Sequence, residues 1–408
     1  MRRLLAGLDV GTTRTKAGLV DEAGQELTRA AVPTPWRRTP AGVETDPEAL
    51  AAAARSALVT ALESAPAGEV LALGVTSIAE TAVLLEAKGE VACPSVAWHD
   101  WRAAADLELM RKELGREVVG RTTGLGGEQV PTIATLRWLR ANVAGARRAV
   151  HSLSVAEWVV HALGGELAAE SSLASRTGAF AVSRCTWWAE ALEWAGIPTG
   201  MFPPVRAAGE PFGRAPALGA GLERLSGAVL TVAGHDHPCA AVGTGTLRED
   251  QVLDSCGTAE AIVRAVAATP SHDPAAGHPD GVDTGRHVIP GCYALLGGHP
   301  LGLVLAPARR EPGSAAAGAA AVAAVEEARR LLAGVTRLGG PVAEIRVTGG
   351  WSRDPLLRSL RSAAFPATVY PVVVEAGVRG AALLGGLAAG LWASVHELPM
   401  PPIEEDPG

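Results

Sequence analysis

The sequence has little of the basic charge or paired cysteine that marks several large classes of protein. Lys and Arg total 36 against 43 Asp and Glu, the net charge is −7, and the chain shows no basic cluster. We therefore predict no nucleic-acid partner. The five cysteines are scattered and never spaced CxxC, so reduced thiols in the cytoplasm fit better than a disulfide framework.

The sequence also lacks an apolar run long enough for a membrane span or a signal peptide. Asp9 interrupts the first apolar run before it reaches the length of a signal-peptide core. The Ala-rich stretch 315–325 contains Gly318 and leads directly into Glu326. Such a stretch is typical of a helix packed within a protein, so we predict no membrane partner.

Aromatic residues make up only 4% of the chain, whereas glycine occurs 48 times. With 48% hydrophobic and 19% charged residues, the chain is able to bury a large core. A length of 408 residues is too great for one ordinary core and predicts two domains of roughly 200 residues each. The many small residues indicate closely packed backbones, as in α/β proteins.

The first part of the chain has the pattern of three strands, a helix and a fourth strand. Three short apolar runs separated by tight turns predict an antiparallel meander: 4–10, 16–20 and 25–31. Asp46 followed by Pro47 is typical of a helix start, with Asp as the N-cap. Val70–Thr76 is a nearly continuous apolar run, as expected for a strand in the middle of a sheet.

A similar arrangement recurs later in the chain. Leu253–Thr258 repeats the strand and Gly-Thr turn of Leu8–Thr12, and a second apolar strand follows each turn. This internal repeat predicts two related halves that face each other across a cleft, with one Gly-Thr turn on each wall. The boundary is predicted near Ala228, which divides the chain into residues 1–228 and 229–408.

The turn after the first strand has the composition of a phosphate-binding loop. Gly11 lets backbone N–H groups approach a phosphate closely. Thr12 and Thr13 add hydroxyl donors, and Lys16 adds a cation. Asp9, at the end of the strand, is placed to hold the magnesium ion that accompanies ATP. An ordinary hairpin is the alternative, because Asp and Gly are common turn residues.

An acidic residue between two histidines follows the strand that opens the second half. Asp236 has the position of a general base that accepts the proton of an attacking hydroxyl in phosphoryl transfer. His235 and His237 suggest a metal site as an alternative, but in an extended chain they point away from Asp236. Polar turn residues or helix caps are the other alternative.

Two consecutive glycines, Gly349 and Gly350, follow an apolar strand and precede a helix start at Pro355. They let the backbone lie against a flat ligand such as adenine. The segment is neither a GxGxxG dinucleotide fingerprint nor a Walker A loop, which needs Gly-Lys-Ser/Thr. A purely structural turn is the alternative.

Together, and in this order, these segments resemble the FGGY carbohydrate kinases of the actin/hexokinase/heat-shock ATPase superfamily. The segments that carry the resemblance are Asp9–Thr13, Trp98–Arg102, Ser172–Gly178, Ala233–Asp236, Ser255–Ala259, Thr348–Leu357 and Glu375–Ala382. The resemblance covers nearly the whole chain. It implies an α/β fold with two related ribonuclease H-like (actin-like ATPase) domains and a central cleft.

The resemblance implies a kinase that uses ATP and Mg²⁺ to phosphorylate a hydroxyl of a small sugar or polyol. Asp236 would act as general base, and Asp9 and Asp236 would place the magnesium ion. The implied nucleotide-binding residues lie in three loops: Gly11, Thr12, Thr13 and Lys16; Gly257 and Thr258; Gly349, Gly350 and Ser352.

The implied substrate residues are Glu80, Thr81, Trp98, Asp100, Arg102 and His235, together with Asp236. The sequence lacks the Gln-Met-His-Gly segment usual in xylulose kinases, and Glu80-Thr81 looks more like the glycerol kinase motif. Core packing is the alternative for Trp98, and an ion pair with an acid such as Asp106 is the alternative for Arg102. We expect a ketose such as a pentulose, or a short polyol.

The alternative function is a non-catalytic sensor of the same fold that binds sugar and ATP. It would predict the loss of Asp236 or of one phosphate motif, and the sequence retains them. The stretch between Thr258 and Gly349 is shorter than in typical members of the family, in some of which it supports oligomers. A homodimer is therefore left open.

Overall fold

The computed structural model describes residues 2–127, 129–219, 221–257, 259–267, 281–306, 310–311 and 313–404. Two mixed β-sheets form its frame, and a cleft lined by residues from both halves lies between them. No helix in this part of the chain is long and apolar enough to cross a membrane.

The strands are, in chain order, β1 (Arg3–Val10), β2 (Arg14–Asp21), β3 (Glu26–Pro33), β4 (Arg37–Thr39), β5 (Gly42–Thr45), β6 (Glu69–Ser77), β7 (Ala82–Leu85), β8 (Ser95–Val96), β9 (His151–Ser154), β10 (Ala169–Glu170), β11 (Phe180–Ala181), β12 (Thr186–Trp187), β13 (Val205–Arg206), β14 (Val229–His235), β15 (Gln251–Cys256), β16 (Glu260–Val266), β17 (Val282–Arg286), β18 (Tyr293–His299), β19 (Glu344–Thr348) and β20 (Thr368–Val369). The helices are α1 (Pro47–Glu63), α2 (Ala104–Leu114), α3 (Arg116–Thr123), α4 (Thr132–Asn142), α5 (Val155–Ala162), α6 (Ser171–Ala174), α7 (Ala189–Trp194), α8 (Asp236–Gly243), α9 (Leu301–Val304), α10 (Ala315–Gly339), α11 (Pro355–Ala364) and α12 (Ala376–Ala388).

The first sheet confirms the predicted meander, helix and fourth strand. Its order is β14-β6-β1-β2-β3, with β2 antiparallel to both β1 and β3, and β6 parallel to β1. Helix α1 begins as expected, because the Asp46 side chain accepts a hydrogen bond from Glu48 N at 3.0 Å and Pro47 occupies the first turn. Leu50 and Leu58 on α1 are fully buried with Leu8 of β1 in one core.

The second sheet repeats the pairing of the first. Its order is β17-β18-β16-β15-β19-β20. The hairpin β15–β16 is antiparallel and β15 pairs in parallel with β19, as β1 pairs with β2 and β6. The predicted internal repeat of structure is therefore confirmed, with β18 and β20 in the places of β3 and β14.

Helix α12 shows why the chain needs so many small residues. A Cβ atom on Gly7 of β1 would lie 2.0 Å from Val378 O, and one on Gly74 of β6 would lie 1.8 Å from Ala381 O. Helix α8 approaches α12 as closely, since a Cβ on Gly380 would lie 2.0 Å from Cys239 O. Glycine at these three positions lets the backbones touch, and the expected close packing is confirmed.

Strand β14 bears on the predicted domain boundary near Ala228. It hydrogen-bonds to β6 and so belongs to the first sheet, although its sequence lies after that boundary. An apolar run has the same pattern in either sheet, so the sequence alone does not show which one it joins. We propose that the first domain extends through α8 and that the boundary follows Gly243.

Candidate active site

A cleft of about 1120 Å³ between the two halves contains most of the predicted site residues. The turns after β1, β15 and β19 and the start of α8 all contribute to its wall. The predicted residues on that wall are Asp9, Gly11, Thr12, Thr13, Lys16, Glu80, Trp98, His235, Asp236, Gly257, Gly349, Gly350 and Ser352. Thr258, which was also predicted, lies outside the described residues.

Asp9 presents an unpaired carboxylate oxygen in the cleft. Its Oδ1 atom is buried without a hydrogen-bond partner among the described residues. Burial raises the pKa of Asp9 to about 7, while the nearby Lys16 acts in the opposite direction. A Cβ atom on Gly377 at the start of α12 would lie 2.6 Å from Asp9 Oδ2, so glycine leaves room for the carboxylate. A buried oxygen that lacks a partner fits a magnesium ligand.

Lys16 joins the first half to the second. Its Nζ atom donates to Glu375 Oε2 at 2.7 Å, across the cleft wall from β2 to the residue before α12. Burial acts to lower the pKa of Lys16, but Asp9 and Glu375 raise it above its usual value. A phosphate group that binds Lys16 therefore has to share it with Glu375 or displace Glu375.

Two tryptophans hold the turn after β1. Gly11 N donates to Arg14 O at 3.1 Å and closes the turn. Trp98 Nε1 donates to the Thr12 hydroxyl at 2.9 Å, and Trp36 Nε1 donates to the Thr12 carbonyl at 2.7 Å. The Trp98 ring is thus held in place from one edge while it lines the cleft.

Asp236 lies at the point where β14 ends and α8 begins. Its side chain accepts a hydrogen bond from His237 N at 2.8 Å and remains 23% exposed to the cleft. The preceding residue, His235, donates its backbone N–H to Ser172 Oγ at 2.9 Å. Ser172 Oγ in turn donates to the buried carboxylate of Glu170 at 2.5 Å. This chain of hydrogen bonds fixes the backbone immediately before Asp236.

The imidazole of His235 stays neutral at pH 7. Burial, together with the nearby His237 and Arg176, holds the pKa of His235 well below its usual value. Its Nε2 atom lies 3.2 Å from Asp236 Oδ1. A neutral ring at this distance adds no positive charge beside the Asp236 carboxylate.

Glu80 is held by an arginine that also contacts the second half. Arg176 Nε donates to Glu80 Oε1 at 2.6 Å, and Arg176 NH1 donates to Asp283 Oδ2 at 2.9 Å. Burial raises the pKa of Glu80, and Arg176 opposes that shift. Glu80 has a φ of 58°, a left-handed conformation that non-glycine residues rarely adopt. The surrounding contacts therefore fix both its backbone and its carboxylate.

The glycine pair after β19 packs on the second Gly-Thr turn. Gly349 has a φ of 97°, and a Cβ atom there would lie 2.4 Å from Cys256 O. Ser352 Oγ donates to Gly349 O at 2.7 Å and closes the loop. Tyr370 and Val373 also line the cleft, and the Arg358 guanidinium lies 3.7 Å from the centre of the Tyr370 ring.

The chain matches the family model for the N-terminal domain of the FGGY carbohydrate kinases over residues 4–243. It belongs to the FGGY family. This membership makes the protein a carbohydrate kinase, an enzyme that uses ATP to phosphorylate a sugar or polyol. The two-domain actin-like ATPase fold expected from the sequence is confirmed by solved structures of family members.

The relatives of this FGGY kinase differ in their substrates. A glycerol kinase from Aromatoleum aromaticum is 27% identical over 97% of this chain and 92% of its own length. A xylulose kinase structure from Rhodospirillum rubrum aligns with a TM-score of 0.85 at 21% identity, over 99% of this chain and 95% of that one. A gluconate kinase structure from Lactobacillus acidophilus aligns with a TM-score of 0.83 at 19% identity, over 99% and 93%.

Three predicted substrate residues lie behind the cleft wall. Asp100 and Arg102 pair with each other at 2.9 Å, and both side chains are nearly buried. Asp100 Oδ2 also accepts a hydrogen bond from Val43 N at 2.6 Å, which attaches the pair to strand β5. Thr81 is 2% exposed and follows Glu80 on the side away from the cleft. None of the three lines the cleft, and the Thr81 hydroxyl is buried without a partner among the described residues, so their contact with substrate stays a prediction.

Residues that the sequence reasoning did not single out lie in the cleft near Glu80 and Trp98. Arg176 and Asp283 line it beside Glu80, and Gln129 Nε2 donates to the Trp98 carbonyl at 2.6 Å. Arg176 falls within the family-like segment Ser172–Gly178, which was a signal in the sequence. Asp283 and Gln129 carry no such local signal.

Proposed function

We propose that this kinase transfers the γ-phosphoryl group of ATP to a hydroxyl of a small sugar or polyol, with Asp236 as general base. The observation that carries the proposal is the position of Asp236 at the start of α8. There its carboxylate is accessible in the cleft, lies next to a neutral His235 and interacts electrostatically with Asp9. A ketose such as a pentulose, or a short polyol, is the proposed substrate.

In the proposed reaction the substrate hydroxyl gives its proton to Asp236 as its oxygen bonds to the γ-phosphorus. The bond from that phosphorus to the ADP oxygen breaks in the same displacement. The backbone hydrogen bonds around His235 hold Asp236 in one position, so the protein contributes mainly positioning and charge stabilisation.

Asp9 and Asp236 would hold the magnesium ion, which when bound neutralises charge on the phosphates. Support comes from the unpaired, buried Oδ1 atom of Asp9 and from the charge interaction between these two carboxylates. Both are oxygen ligands of the kind that magnesium prefers.

The nucleotide would lie along the three glycine-containing turns. We assign the phosphates to Gly11, Thr12, Thr13, Lys16, Gly257 and Thr258, and the adenosine to Gly349, Gly350 and Ser352. For the described members of this set, support comes from their place on the wall of one cleft, which Tyr370 and Val373 also line. The sugar would lie against Glu80, Trp98 and His235.

The test is a coupled ADP-release assay of the wild type and Asp236→Asn with ATP–magnesium and a panel of ketoses and polyols. We expect one substrate class to be phosphorylated and the variant to lose about 10²–10⁴-fold in kcat, because it lacks a proton acceptor. Nucleotide binding serves as the control for folding. A variant that binds ATP and keeps wild-type kcat would contradict the role of Asp236.

A further inference from the structure

An arginine at the substrate end of the cleft is held between acids from both halves. Arg176 contacts Glu80 in the first half and Asp283 on β17 in the second. The side chains of the three residues are 10%, 8% and 11% exposed, in that order. Both pairs have hydrogen-bonding geometry, so the charge of the guanidinium is compensated on two sides.

Asp283 is fixed by more than Arg176. Its Oδ1 atom accepts hydrogen bonds from Gly126 N at 3.1 Å and Gly127 N at 3.3 Å. The strand and this loop meet without room for a side chain, since a Cβ atom on Gly124 would lie 1.9 Å from Thr284 O. These hydrogen bonds therefore hold Asp283 in place beside Arg176.

All three residues line the cleft together with His235 and Asp236. Of the three residues that these hydrogen bonds connect, Arg176 is the cation. A free arginine in such a place is a natural receptor for a carboxylate, because its planar fork matches two carboxylate oxygens. Here Nε is taken by Glu80 and Nη1 by Asp283, so a ligand carboxylate would meet both acids at close range.

We propose that the Glu80–Arg176–Asp283 triad determines substrate specificity by compensating Arg176, so that the kinase accepts uncharged ketoses and polyols and rejects sugar acids. This inference rests on the proposed function for the location of the substrate. Arg176 is the specificity-determining residue, and the two acids set whether its charge reaches the ligand. Removing the charge of Asp283 would free the guanidinium and admit the carboxylate of an aldonate.

The experiment compares neutral ketoses and polyols with aldonates of the same carbon number, on the wild type and on Asp283→Asn. Binding is measured by isothermal titration calorimetry without ATP, and kcat/KM by ADP release. Within the ligand pair that the wild type uses best, we expect kcat/KM for the neutral ligand to exceed that for the aldonate by about 10²-fold or more. In Asp283→Asn that ratio should shift toward the aldonate by at least about tenfold, as one half of the compensation is lost.

Two further variants keep the test decisive. Glu80→Gln frees Arg176 from the other side and should shift the same ratio in the same direction, even if Asp283→Asn does not fold. Asp106→Asn is the matched control, because Asp106 pairs with Arg137 at 2.5 Å, is 14% exposed and lies off the cleft wall. It should leave the ratio unchanged.

The outcomes separate the triad from the proposed function. The inference is overturned if the wild type binds an aldonate as tightly as a polyol. It is also overturned if Asp283→Asn and Glu80→Gln both fold and keep the wild-type preference for neutral ligands over aldonates. Selective binding of neutral ligands without ATP-dependent turnover supports the triad and counts against the proposed reaction.

Discussion

The two Gly-Thr turns occupy equivalent places in the two sheets, but the acidic residue in the strand before each turn has a different environment. In the first turn Asp9 faces the cleft with one oxygen unpaired. In the second, Ser255 holds the place of Asp9, two residues before the glycine, and Asp254 one residue earlier is 1% exposed and forms an ion pair with Arg361 of α11. The same supersecondary unit thus presents charge to the ligand on one wall and neutralises it inside the other.

The one-residue offset between Asp254 and Asp9 places Asp254 on the other face of its strand, where a buried cluster surrounds it. Arg361 pairs with both Asp254 and Glu260, and His299 also contacts Glu260. No comparable arginine contacts Asp9 in the described part of the chain, where the nearest cation is Lys16. We therefore expect the first turn to act on a ligand through side chains and the second through its backbone around Gly257.

Removing Arg361 should destabilise the second half, and we expect this to be the largest of the effects predicted here. Arg361→Met leaves two acids buried without their cation, so we expect the free energy of unfolding to fall by about 3–5 kcal/mol. Urea unfolding at pH 7 measures this loss. Arg248→Met is the control, because the ion pair of Arg248 with Asp250 is exposed and is expected to contribute about 0–1 kcal/mol. Equal effects in the two variants would contradict the proposed role of the cluster.

Removing the charge of Asp9 should instead affect catalysis. Asp9→Asn cannot offer the cleft an anionic oxygen, so we expect kcat to fall about 10²–10³-fold across a magnesium titration. Asp254→Asn tests the other turn and should keep most of its kcat once folded. If both variants lose kcat equally, the two turns share one role and the comparison does not hold.

The fold was largely predictable because its signals are local. A strand that ends in a Gly-Thr turn is visible in both halves, and Asp46-Pro47 marks the start of α1 wherever the helix packs. The position of β14 was not predictable, since its apolar run fits either sheet and only its pairing with β6 decides. Local pattern thus determines the elements but not their neighbours.

The substrate end was less predictable for the same reason. Arg176 and Asp283 are 107 positions apart, and no spacing rule connects them. Conversely, Asp100 and Arg102 have the sequence pattern of sugar-contacting residues, but their ion pair satisfies each of them inside the fold. A polar residue contacts ligand only when the fold brings its polar group to the cleft, and that property is tertiary.

The smallest expected effect is a pH dependence of stability that separates the two turns. Burial raises the pKa of Asp9 from 3.8 to about 7, so the unfolded state releases this proton before the folded state does. The contribution of Asp9 to stability is therefore lost as pH rises from about 4 to 7, and stays lost above pH 7. In Asp9→Asn this loss is absent.

We expect metal-free Asp9→Asn at pH 8 to exceed the wild type in the free energy of unfolding by roughly 1–3 kcal/mol. At pH 4 the difference should vanish, because Asp9 is then protonated in the folded wild type. Urea unfolding with a chelator at both pH values measures the change. Glu260 gives the opposite sign: His299 and Arg361 outweigh burial and lower its pKa from 4.5 to about 2, so its contribution is lost as pH falls from about 4.5 to about 2. A variant difference that does not grow between pH 4 and pH 8 would show that Asp9 is already charged at pH 4. The unpaired oxygen would then be solvated, and the contrast with Asp254 would disappear.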